Sequence, residues 1–159
     1  MFGGTKLNAD KMTLAEAKKI TKKLPKNKNL LPVGSVASEQ PYPQDLDFLT
    51  MENLSDLYKL FVKKYPIVWK KVRLGQKRFD YYPIIDSKKI VINIWKVTDE
   101  NLPFMYLAYG YPRGFSIALK KKAKNMGYKL SSYGLFKGKD KLERVSFLCK
   151  PLIHNPIIL

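Results

Sequence analysis

Apolar residues near the start of the chain recur at helical spacing: Leu14, Ala17, Ile20 and Leu24. Thr13 with Glu16 three positions later forms a capping box, in which the threonine side chain accepts from the N3 amide, and Pro25 stops the run. The pattern predicts a helix over about 13–24. Leu30 to Val33 predicts a short strand ending in a Gly34-Ser35 turn. After a polar stretch, Asp45-Leu46-Asp47-Phe48-Leu49 alternates with period two, as a strand does. Leu54, Leu57, Tyr58, Phe61 and Tyr65 then line one face of a second helix, about 53–64, closed by Pro66.

Three strand-like runs follow. Ile67 to Arg73 is the first, with a turn at Leu74-Gly75-Gln76; Arg78 to Ile85 is the second, with a turn at Asp86-Ser87-Lys88. The third is Ile90 to Val97, with Ile90, Ile92 and Ile94 on one face and Val91, Asn93 and Trp95 on the other. Short connections predict antiparallel neighbours. The segments 101–103 and 109–112 interrupt the pattern. A third helix is predicted over about 114–126, with Gly127 as its C′ residue. Lys129 to Phe136 alternates as one strand, Gly138 to Lys141 reads as a turn, and 142–148 can pair back. The composite is an α+β fold: an antiparallel-rich central sheet with flanking helices, then a small helix-and-strand lobe.

Charge changes the picture next. The 159 residues hold 30 Lys+Arg against 13 Asp+Glu, a formal charge of +17. Such an excess points to a polyanionic partner, nucleic acid before an anionic membrane. With 45% apolar and 13% aromatic residues, the chain is too hydrophobic for a disordered basic tail. Residues 1–30 carry +6 and residues 111–150 carry +9, while 31–110 carry only +2 and keep nine of the acids. Acids retained in a cationic protein serve either metal ligation or ordinary surface ion pairs. Cys149 has no second cysteine to bridge, and His154 lies in an apolar tail without catalytic partners. No signal-peptide pattern opens the chain, and no apolar run approaches the ~20 residues of a membrane span. These features predict a soluble, intracellular, monomeric protein.

The chemistry-bearing feature is Gly34-Ser35 followed ten residues later by Asp45-Leu46-Asp47. Residues i and i+2 of a strand project to one side, so the two carboxylates converge. Like charges that close repel unless a cation lies between them or one is protonated. Paired carboxylates with open positions are a normal way to hold Mg²⁺ together with substrate phosphates. A Gly-Ser turn can offer backbone N–H groups and a hydroxyl to a phosphate. The pattern suits two-metal phosphoryl transfer; the alternative is a chance D-x-D on an exposed strand. Likewise the lysines at 120–124 are either a phosphate-tracking or a solvated helix face.

The combination resembles the nucleotidyltransferase superfamily, and longer segments resemble family X DNA polymerases. Leu74-Gly75-Gln76-Lys77-Arg78-Phe79 is similar to that family's palm hairpin. Ile92-Asn93-Ile94 falls where the family has its third carboxylate strand. The run from Ala118 to Phe136 is similar to its nucleotide-side helix and following strand. Order and spacing match from about 30 to 136, and the likeness is greatest to the minimal palm-plus-nucleotide-lobe polymerase X of large DNA viruses. The resemblance implies a palm over 1–105 and a C-terminal nucleotide-binding lobe over 106–159. It implies Asp45, Asp47 and Asn93 as the catalytic, metal-binding positions for two Mg²⁺ ions, with Mn²⁺ as a substitute. Gly34, Ser35, Tyr109, Gly110 and Lys120 would bind the incoming deoxynucleoside triphosphate. Lys121, Lys122, Lys124 and Arg78 would contact gapped or nicked DNA.

Departures from the family pattern bear on activity. Asn93 stands where the family has an aspartate; it adds no negative charge and cannot accept a proton from a primer 3′-OH. Val36-Ala37-Ser38-Glu39 stands where the family usually has arginines for the triphosphate. The aromatic sugar gate falls at Ala108 or Tyr109, and Pro151 to Leu159 lacks the family's closing basic motif. The expectation is a repair-type DNA polymerase slowed by Asn93. The alternatives are a weakened DNA- or nucleotide-binding module of the same fold, and nucleotidyl transfer to a non-DNA acceptor.

Overall fold

The computed structural model describes residues 8–142. They pack as two compact units that divide between Val97 and Thr98.

In the first unit, α1 (Leu14–Lys23) begins as the capping box requires: the Thr13 side chain accepts from the Glu16 amide at 3.2 Å. Its Ala17 and Ile20 turn inward, and a single 3₁₀ turn (Asn27–Asn29) leads to β1 (Leu31–Val33). The expected Gly34-Ser35 turn is instead the start of a one-turn helix, α2 (Gly34–Ala37). The next strand, β2 (Leu46–Thr50), is buried at every position, which marks it as central. Then α3 (Leu54–Lys64) starts where the Asn53 side chain accepts from the Asp56 amide at 3.0 Å.

The first of the three expected strand runs forms only in part. Val68 makes an isolated bridge to Pro83, and β3 is just Arg73–Leu74. Residues 67–72 are mostly exposed, so the strand-like run Ile67 to Arg73 is not matched by a continuous ladder. The second run breaks into β4 (Arg78–Tyr81) and β5 (Ile84–Ile85) because Pro83 between them has no N–H to give a ladder. β5 pairs with β6 (Lys88–Lys89) as a separate hairpin whose turn residues Asp86 and Ser87 take positive φ. The third run forms β7 (Ile92–Lys96).

The main sheet runs β1-β2-β7-β4-β3. All neighbours are antiparallel except β2 and β7, which run parallel. A parallel pair needs a crossover, and α3 lies in the connection. One face of the sheet is apolar: Leu46, Phe48, Ile92, Ile94, Phe79 and Tyr81 join Ile20, Leu57 and Phe61 from the helices in one core. Phe61 meets both Phe79 and Tyr81 edge-on, each at 5.5 Å between ring centroids. The opposite face carries Asp47, Asn93, Trp95, Arg78 and Asp80, set there by the same period-two alternation.

The second unit begins with α4 (Leu102–Tyr109), where the sequence pattern suggested only an interruption. Its residues are apolar on all sides, so no stripe betrays the helical period. α5 (Arg113–Asn125) is the expected third helix, and Gly127 follows at φ +86°. The single strand expected over 129–136 is a tight hairpin: β8 (Lys129–Ser131) and β9 (Gly134–Lys137) pair antiparallel, and β10 (Asp140–Leu142) adds to β9. The rest of the strand expected over 142–148, Cys149, His154 and the 151–159 tail lie outside the described residues. Phe104, Leu107, Leu119, Ala123, Leu130 and Leu135 form this unit's own core. No described helix is long and apolar enough to cross a membrane.

Candidate active site

The polar face of the main sheet gathers the first set of candidate residues. The β1–β2 register puts Val33 beside Asp47, and Gly34 follows directly, so the α2 backbone abuts the Asp47 carboxylate. Gly34 sits at φ +66°, and a Cβ there would lie 2.4 Å from Asp47 Oδ2. Only glycine permits both the left-handed backbone and this approach. The Ser35 hydroxyl donates to the Asp45 carbonyl at 3.5 Å, tying the turn to the residue just before β2. The Gly-Ser pair and the D-x-D pair are therefore one structural element.

Asp45 and Asp47 converge on Asn93. The Asn93 amide Nδ2 donates to Asp45 Oδ2 at 3.2 Å and to Asp47 Oδ1 at 2.9 Å. The parallel β2–β7 register, Asp47 opposite Asn93, puts it there. Asp47 is 1% exposed and Asn93 5%. Burial pushes the Asp47 carboxyl up to about 8, the Asp45 charge adds to the rise, and the Asn93 hydrogen bond opposes it. Burial also raises Asp45, against hydrogen bonds from its neighbours and the positive charge of Arg78. Two carboxylates forced together out of water, with only a neutral amide between them, form a site short of positive charge.

That donor set fits Mg²⁺, a hard cation commonly held by one or two carboxylates with the rest of its shell from water and substrate phosphates. Among the described residues no cluster of three or more His, Cys, Asp or Glu side chains is arranged for a metal. The donors are two carboxylates and one amide.

The sequence pattern did not single out Asp80. It is 1% exposed and stands directly opposite Asn93 in the β4–β7 register. Arg78, on the same strand and face, donates Nε to Asp80 Oδ1 at 2.8 Å, and its guanidinium lies 4.8 Å from the Trp95 ring centroid. The available signal was a lone acid closing the stretch Lys59–Phe79, which holds only basic charges.

The remaining candidates belong to the second unit. Tyr109 is the last residue of α4, and Gly110 caps that helix. A Cβ on Gly110 would lie 2.8 Å from the Tyr106 carbonyl oxygen, so this glycine serves a tight helix end. Tyr111, two residues on, packs between Tyr106 at 5.4 Å and Phe115 at 4.6 Å. On α5, Lys120, Lys121 and Lys124 are exposed and Lys122 is half-buried, while Leu119 and Ala123 face the core.

No family model matches this sequence, and no curated protein does. Solved structures do. The polymerase beta of Leishmania infantum in a ternary P/T complex superposes with a TM-score of 0.70 at 14% identity, covering 94% of this chain and 76% of that one. The same organism's polymerase beta in a ternary gap complex gives a TM-score of 0.65 at 17% identity, covering 80% of this chain and 51% of that one. The chain thus has a polymerase beta-like fold and spans about half the length of the second neighbour.

Proposed function

We propose that this chain is a small DNA-directed nucleotidyltransferase that adds a deoxynucleotide to a primer 3′-OH in gapped or nicked DNA. The observation that carries this reading is the buried Asp45–Asp47 pair, abutted by Gly34-Ser35 on the polar face of a polymerase beta-like sheet. Asp45 and Asp47 would hold Mg²⁺, with the Asn93 side chain beside them. When bound, the divalent cation supplies the positive charge that activates the attacking hydroxyl and supports the leaving pyrophosphate.

The chain's own residues then supply positioning and charge. Gly34 leaves room for close approach to the carboxylates, and the Ser35 hydroxyl can turn from the Asp45 carbonyl to a triphosphate oxygen. Tyr109 and Gly110 would lie near the sugar, and Lys120 near the nascent pair. Lys121, Lys122, Lys124 and Arg78 would track DNA phosphates. Asn93 keeps the pair bridged but takes no proton from the primer hydroxyl, so turnover is slow.

A second reading follows from that same amide. Its bridging of both carboxylates would suit a nucleotide- or DNA-binding module that has lost chemistry. The test is incorporation of one labelled deoxynucleotide into a gapped duplex with Mg²⁺ or Mn²⁺, comparing the unmodified chain, Asp47→Asn and Asn93→Asp. Incorporation lost in Asp47→Asn supports the enzyme. DNA binding without incorporation in the unmodified chain and in Asn93→Asp supports the module. Labelling of an RNA or protein acceptor instead points to a different nucleotidyl transfer.

A further inference from the structure

On the polar sheet face the buried Asp80 and its neighbour Trp95 have no part in the function proposed above. Asp47, Asn93 and Asp80 form a row across β2, β7 and β4. Asp80, buried as it is, is served by arginines on two strands: Arg78 Nε at 2.8 Å and Arg73 Nη1 at 4.0 Å. Arg78 also stacks over Trp95, its cross-strand partner. A guanidinium with a carboxylate beside it and a ring against its face has lost most of the freedom a long side chain normally keeps. It is still 37% exposed, so one side of it faces solvent. Register places it on the same sheet face as Asp47, with Arg78 opposite Trp95 two residues along from the Asp47–Asn93–Asp80 row, and its positive charge opposes the effect of burial on Asp45 and Asp47. Asp80 takes Nε, whereas a planar Nη edge is the part of an arginine that matches a phosphate.

We propose that Asp80 is a positioning residue which, with Trp95, locks Arg78 beside Asp45 and Asp47 so that its Nη edge grips a nucleic-acid phosphate. This role rests on the DNA-binding part of the function proposed above, not on its chemistry. It has a sign that simple electrostatics lacks. Removing a buried negative charge should by itself strengthen binding to a polyanion. Removing a positioning carboxylate should weaken it.

The experiment measures affinity for a gapped duplex at several salt concentrations, with thermal melting to show that each variant is folded. Arg78→Ala should weaken binding about tenfold and lower the salt slope by about one, as expected when one phosphate is no longer neutralised. Arg78→Lys should lose nearly as much, because an ammonium cannot stack and fork as a guanidinium does. Asp80→Asn should weaken binding several-fold in the unmodified chain and change nothing, or strengthen it, in the Arg78→Ala background. Stronger binding of Asp80→Asn in both backgrounds would overturn the proposal. So would an equal weakening in both, which marks a merely structural carboxylate, or unmodified affinity in Arg78→Lys. DNA binding without incorporation in the unmodified chain and in Asn93→Asp sinks the polymerase reading alone. Absence of DNA binding sinks both.

Discussion

Asn93→Asp is the most informative single change. The present amide donates to Asp45 and Asp47 at 3.2 and 2.9 Å. Hydrogen bonds to charged groups contribute roughly 1.5–3 kcal/mol each, and the substitution removes both. A third carboxylate would also face two others at close range, with a repulsion of about 4 kcal/mol per pair at 4 Å and an effective dielectric of 20. Proton uptake relieves that repulsion, and the two lost hydrogen bonds, at the low end of their range, leave a net destabilisation of roughly 3 kcal/mol at pH 8 without divalent cations. For a unit of this size each kcal/mol moves the melting temperature by about 4–8 °C, so a fall of roughly 12–24 °C is expected. Mg²⁺ should reverse the sign of the comparison, because three carboxylates attract a dication more strongly than two. The assay is thermal melting in EDTA and in Mg²⁺, with primer extension alongside. Asn93→Asp should melt lower in EDTA, gain more from Mg²⁺ than the unmodified chain, and extend primers faster. Equal melting in EDTA together with equal Mg²⁺ shifts would refute the reasoning.

Three further predictions concern the same geometry. Folded Asp47 titrates near 8 instead of 3.8, and Asp45 is also raised, so between about pH 4 and 8 the folded chain keeps protons that the unfolded chain has released. Stability should therefore fall as pH rises through that window, by up to about 1.4 kcal/mol per pH unit from Asp47, with Asp45 acting in the same direction; denaturant titrations in EDTA that show a flat or rising profile contradict this. Gly34→Ala puts a Cβ 2.4 Å from Asp47 Oδ2 at φ +66° and should cost more than about 2 kcal/mol while weakening Mg²⁺ binding; calorimetry finding both unchanged would show that the turn is not packed as described. Replacing Lys120, Lys121 and Lys124 together with Ala should weaken duplex binding and flatten its salt dependence by about 0.9 for each phosphate no longer neutralised, and an unaltered slope would make α5 a solvated face only.

Local interactions made some of this legible in advance. Thr13, Asn53, Pro25, Pro66 and Gly127 act within a few residues of themselves, so the ends of α1, α3 and α5 could be read from their spacing. The convergence of Asp45 and Asp47 could be read too, since it depends only on the period of a strand. Where the pattern misled, the deciding factor was pairing, which alternation alone does not specify. The strand-like run 67–72 pairs only at its start, where Ile67 accepts from the Ile84 amide and the Trp69 amide donates to Tyr82, and 129–136 folds back on itself at Ser132-Tyr133. Helix α4 escaped because its residues are apolar around the whole circumference.

What the chain by itself determined, then, is the helices α1, α3 and α5, its cationic charge, the pair of carboxylates and the neutral residue at 93. What only the tertiary structure decided is which side chains meet across strands distant in sequence. The parallel β2–β7 register sets Asn93 between Asp45 and Asp47, and the antiparallel β4–β7 register sets Asp80 beyond it, with Arg78 over Trp95. A strand's own period says which face a residue takes. Shifting one strand against its neighbour by two residues would keep every face and break every one of these pairings, so the site exists only once the sheet has chosen its register.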